Sequence, residues 1–85
     1  MAVTAVASST TSATLKAANA QRKAIVIENS DANRLYVRLD SGTASSSAYS
    51  FSLAQNENAT LRGYTGEITG VWAADGSGSA HVTEY

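Results

Sequence analysis

His81 is the one imidazole in this 85-residue chain, and cysteine is absent. An imidazole can serve as a general base or as a metal ligand, but both jobs need company. A base needs an oriented partner and a nucleophile; a metal needs further His, Cys or carboxylate ligands. His81 sits between Ala80 and Val82 in an alternating run, so it reads as an outward-facing strand residue. Glu28, Glu57, Glu67 and Glu84 show no paired acid–base layout, and no Gly-x-Ser-x-Gly elbow surrounds any serine. Asp75-Gly76-Ser77-Gly78 puts an acid in a glycine-rich stretch. It lacks the Gly-Lys-Ser/Thr of a phosphate loop and the spaced acids of a calcium loop, so a hairpin turn is expected there. Asn58-Ala59-Thr60 fits the glycosylation spacing, which means nothing without a secretory leader. The expectation is a protein that is not an enzyme, with no catalytic residue, metal or cofactor.

The aromatic and arginine side chains point elsewhere. Phe51 and Trp72 fall in apolar runs and are expected in the core. Tyr36 shares a strand face with Arg38, Tyr64 lies in a turn, and Arg62 closes a strand. Tyr and Arg are enriched where proteins meet. Tyr36, Arg38, Arg62 and Tyr64 are therefore candidate interface residues, together with Val3 and Val6 of the N-terminal stretch. Arg22, Arg34, Arg38 and Arg62 are expected either to pair with a neighbour's acids or to be solvated.

The elements that would position these residues are strands. Helical periodicity is nowhere sustained, while alternation recurs at residues 11–16, 23–29, 34–39, 48–53, 58–62, 67–73 and 79–84. Polar or glycine-rich segments separate them: 30–33, 40–47, 55–57, 63–66 and 75–78. No proline interrupts a ladder. Seven short strands with regular turns predict an all-β fold, a single antiparallel β-sandwich or barrel at residues 13–85. Residues 1–12, rich in small and hydroxyl side chains, are expected as an extended N-terminal arm that reaches a neighbouring subunit.

Composition narrows the function classes. Charged residues are 15% of the chain, against roughly 25% in ordinary domains. Six basic residues balance seven acidic ones, and the basic ones are scattered. Nucleic-acid binding leans on a basic stripe, so no nucleic acid is expected. No apolar run nears the roughly 18 residues of a membrane span, so no membrane partner is expected either. Residues 1–12 have no basic n-region and no long apolar h-region, which points to synthesis in the cytoplasm. A core this small is marginal, and without disulfides or metal the remaining support is association. A homo-oligomer, or docking into an assembly, is expected.

Three stretches carry a resemblance. Ala18-Asn19-Ala20-Gln21-Arg22-Lys23-Ala24-Ile25-Val26-Ile27-Glu28-Asn29 is similar to an N-x-x-R-K-x-I-x-I-x-N opening found in small virion proteins of tailed bacteriophages. Leu35-Tyr36-Val37-Arg38-Leu39 resembles the L-Y-V-K-L strand that follows in them. Tyr64 to Ala73 and Ala80 to Glu84 resemble their Y-T-G-x-I-x-G-I-W-A and A-x-V-T-E segments. The resemblance spans about residues 14–84 and rests on the motifs as a set. It implies a bacteriophage structural protein located in the virion, first of all a capsid decoration or cement protein whose partner is the major capsid protein. Other virion proteins are the partners if it is instead a tail, fibre or head–tail adaptor component. An attachment module for host-surface glycans, with Tyr36, Tyr64 or Trp72 as a stacking platform, is the rival from another class.

Overall fold

Eight strands account for the fold in a computed structural model that describes residues 2–85. They are β1 (Ala2–Ala7), β2 (Ala13–Lys16), β3 (Ala24–Asn29), β4 (Leu35–Arg38), β5 (Phe51–Leu53), β6 (Asn58–Arg62), β7 (Ile68–Trp72) and β8 (Ser79–Glu84). They form two four-stranded sheets, ordered β1-β8-β3-β6 and β2-β7-β4-β5, with every pairing antiparallel. The protein is an all-β sandwich, open at its edges rather than closed into a barrel.

Most connections pass from one sheet to the other; only β4 and β5, joined by the 39–50 loop, are both consecutive and paired. This order is that of an eight-stranded jelly roll, in which two nested Greek keys lay the chain across both sheets. It also overturns the hairpin expected at residues 75–78. That segment carries the chain from β7 in one sheet to β8 in the other. Glycine and aspartate mark a tight turn, but not the sheet that receives the next strand.

The extra strand comes from the segment expected as an arm. Ala2–Ala7 pairs in register with β8, from Ala2 opposite Glu84 to Ala7 opposite Ser79. The Thr4, Val6 and Ala80, Val82 sides face inward together, and the chain's own sheet absorbs the segment. Met1, also assigned to the arm, lies outside the described residues.

Side-chain alternation builds the core. Ile25 and Ile27 of β3, Leu35 and Val37 of β4, Ile68 and Trp72 of β7, and Ala80 and Val82 of β8 meet between the sheets with Leu15 and Leu53. Each of the larger aliphatics stabilises the fold by roughly 1.5–3 kcal/mol on full burial. β7 is buried on both faces because the 39–50 loop folds over its outer side. Thr69 Oγ1 donates to Gly42 O at 2.9 Å, and Ala44 N donates to Ser12 Oγ at 3.0 Å, pinning that loop.

Candidate interaction surfaces

Two polar clusters lock the ends of the sandwich, and both use residues that could otherwise have faced a partner. Arg22 is 3% exposed. Its Nε donates to Glu84 Oε2 at 2.9 Å, and its Nη atoms donate to the carbonyls of Ala17, Tyr64 and Gly66. The Arg22 guanidinium holds the Glu84 carboxyl below its ordinary pKa, against the opposing effect of burial. The acid that Arg22 meets is thus its own chain's.

At the other end Asn29 is fully buried and uses its whole amide. Nδ2 donates to Asn33 O and Leu53 O; Oδ1 accepts from Asp31 N and from Trp72 Nε1. Asp31 continues the cluster. Its Oδ2 accepts from the Asn33 backbone and side chain, and its Oδ1 from Gly78 N at 2.8 Å. The Asn33 N–H is the chief reason the Asp31 carboxyl titrates below its ordinary value, with burial opposing it and Gly78 adding to it. The 30–33 and 73–78 crossings are therefore bonded to each other. Among the described residues, no buried side-chain nitrogen or oxygen lacks a partner. No three His, Cys, Asp or Glu side chains among them converge to hold a metal.

The candidate interface residues fall into different places. Val3 is 67% exposed on the outer face of the β1-β8-β3-β6 sheet. Arg62 is exposed at the end of β6 on the same sheet. Val6 points inward and packs against the core. Tyr64 also packs there, and its hydroxyl donates to Glu67 O at 2.7 Å. Arg38 serves its own loop, with Nε donating to Asp40 Oδ1 at 2.7 Å and Nη1 to Thr43 O at 2.9 Å. That arginine, with help from Gly42 N–H, draws the Asp40 carboxyl below its ordinary pKa. Tyr36 is half-buried, its ring set edge-on to Tyr49 at a centroid distance of 4.9 Å. Trp72, considered as a sugar platform, is 2% exposed, because its indole faces the core and donates to Asn29. His81 is exposed, opposite Ala5 on one side and Glu28 on the other.

Two surfaces remain open. One is a cleft of about 480 Å³ on the outer side of the β2-β7-β4-β5 sheet. Tyr36, Val71 and Trp72 line it along with Thr10, Ala44, Ser45 and Ser46, so the lining is uncharged. The other is the outer face and free edge of the opposite sheet, where β1 is the terminal strand. β1 runs six residues, Ala-Val-Thr-Ala-Val-Ala, with no charge or proline, and its register with β8 is unbroken. The other terminal strands are better guarded. β6 ends in Arg62; β2 has four residues, a register shift and Lys16; β5 has three residues. Proteins usually blunt free edges by such means.

Sequence reasoning missed the Arg22 cluster, for no local pattern tells that residue 22 meets residue 84. A signal for Asn29 did exist: it follows Ile25 and Ile27 on the inward side of β3.

Fold and surfaces together define a small jelly-roll sandwich with one lightly guarded edge, β1, where the Lys16 ammonium donates to Thr4 Oγ1. Compared with known protein families, curated proteins and solved structures, the chain finds no match.

Proposed function

We propose that the protein is a bacteriophage virion structural protein, working as a capsid decoration or cement protein that binds the head lattice. The observation that carries this reading is the open edge of β1. This uncharged six-residue strand offers, at alternate residues, unpaired backbone N–H and C=O groups to a partner strand, the chemistry of strand addition. Repeated over a lattice, shallow contacts of this kind add up through avidity. The strand order supports the reading by analogy, since viral capsid domains use jelly rolls. The virion-protein motifs at residues 18–29, 35–39, 64–73 and 80–84 support it too.

The test is co-sedimentation with empty capsids that lack the protein, followed by heating. Saturable binding and a higher disruption temperature are expected. A protein that stays in the supernatant at every ratio refutes the head assignment, and labelling in the particle then decides between tail, fibre and adaptor.

A second reading, attachment to host-surface glycans, is favoured by the uncharged cleft beside Tyr36. Neutral sugars suit an aromatic floor with hydroxyl-bearing walls, and lectin domains also use jelly rolls. A glycan array with no hit removes it.

A further inference from the structure

We propose that the outer face of the β1-β8-β3-β6 sheet is a homodimer interface, with a second copy packed face to face about a two-fold axis along the row Val3–Thr83–Val26–Thr60. The inference rests on the reading of the protein as an assembly module and names one of its partners.

Strand register sets these four residues in line across all four strands: Val3 opposite Thr83, Thr83 opposite Val26, Val26 opposite Thr60. All four are uncharged and β-branched. Their χ1 angles are already restricted, so burying them costs little rotamer freedom. Two residues along β3 on one side lies Glu28, in the row that includes His81 and Asn58. Two residues along on the other side lies Ala24, opposite Arg62. There Lys23, Arg62 and Tyr85 border a concavity of about 480 Å³ whose lining side chains include two cations and no carboxylate. Among the described residues the ion pairs are Arg22–Glu84 and Arg38–Asp40, and none of these involves Glu28, Lys23 or Arg62.

Along β3, Val26 lies two residues from Glu28 and two from Ala24, and with Thr60 it forms one wall of the concavity. A half-turn about the central row therefore exchanges the two flanking rows. Glu28 of each copy then lies over Ala24 of the other, in the concavity between Lys23 and Arg62. Sheets facing each other sit about 10 Å apart, with strand directions offset by about 30° through their twist. The contact occurs twice, as a two-fold requires. A two-fold along the strands instead would set the acidic row against itself and the basic concavity against itself. Charge thus selects one orientation.

Sedimentation velocity over a concentration series tests the interface. The wild-type chain is expected to shift from monomer to dimer. E28R alone places cation against cation, and K23E/R62E alone places acid against acid; each is expected to weaken self-association by about tenfold or more. Mixed together, the two variants are expected to form a 1:1 dimer, because both contacts are then complementary again. Thermal unfolding checks that each variant is folded; Lys23 and Arg62 are exposed and tolerate change. A wild-type chain that stays monomeric throughout, or a dimer indifferent to the charge changes, overturns the proposal. Shell co-sedimentation separates the two readings. A monomeric wild-type chain that binds capsids sinks the dimer and leaves the virion role standing. A charge-dependent dimer that ignores capsids does the reverse.

Discussion

Arg22 Nε donates to Glu84 Oε2 at 2.9 Å, and this contact ties the segment before β3 to the end of β8. The same guanidinium gathers the carbonyls of Ala17, Tyr64 and Gly66, so three stretches of chain, the β2–β3 connection, the turn after β6 and the end of β8, depend on one side chain. A buried ion pair adds little net stability over a well-packed apolar pair, but removing one partner is costly. Arg22→Met leaves a carboxylate and three carbonyls without their donor. The expected loss is about 3–5 kcal/mol in urea unfolding, with Glu84→Gln losing less because the amide oxygen still accepts. A loss under about 1 kcal/mol for the arginine variant would refute the assignment.

Gly78 and Gly63 should respond differently to alanine. A Cβ on Gly78 would lie 2.6 Å from the Cα of Asp31, a backbone atom that cannot step aside. At Gly63 nothing lies within 4 Å, and only the positive φ of 81° opposes a side chain. Gly63→Ala is expected to cost about 1–2 kcal/mol. Gly78→Ala should cost more and also disturb the Asp31 amide contacts. Equal melting temperatures for the two variants would argue against the packed crossing.

Three carboxylates set the acid limit. Asp31, Asp40 and Glu84 all titrate below their ordinary values in the folded protein. The unfolded chain takes up these protons near pH 4, while the folded chain resists until lower pH. Their stabilisation is therefore complete above the ordinary carboxylate range and fades as pH falls through it towards the folded values. Urea midpoints measured from pH 7 down to pH 2 should drop below about pH 4. Asp31→Asn should flatten part of that drop; an unchanged slope would mean that Asp31 carries none of it.

Lysines at Ala5 and Ala7 would guard the free edge of β1. Both positions are exposed, so stability should change by no more than about 0.5 kcal/mol. Binding to empty shells should fall steeply, as charged side chains discourage strand addition. Full binding by the A5K/A7K chain would place the capsid contact elsewhere on the molecule.

Much of the architecture is legible in the sequence. Alternation at residues 34–39 and 79–84 reads directly as β4 and β8, with Leu35, Val37, Ala80 and Val82 inward. Strand 23–29 is equally plain. What local pattern cannot supply is partnership. Residues 2–7 alternate too weakly, among alanines and a threonine, to announce a strand; they become one because β8 offers an edge. Residues 75–78 have hairpin chemistry yet cross between sheets, since the destination depends on Asp31, 47 residues from Gly78 in sequence. Tyr64 looks like a turn residue free to meet a partner. Its ring instead packs on the core, a contact that only the closed sandwich creates.

The pairing of β1 with β8 has a consequence for how the chain comes into being. In the β1-β8-β3-β6 sheet no strand lies beside its neighbour in sequence. β1 is made before the other strands of this sheet, yet its partner lies at residues 79–84. Until that stretch is made, β3 and β6 can pair but β1 has nothing to hold, and its apolar edge is open on both sides. Closing so long a loop is a burden on the rate, and folds built from distant pairings commonly mature in milliseconds to seconds. The sheet is therefore completed from its middle, when residues 79–84 take their place between β1 and β3.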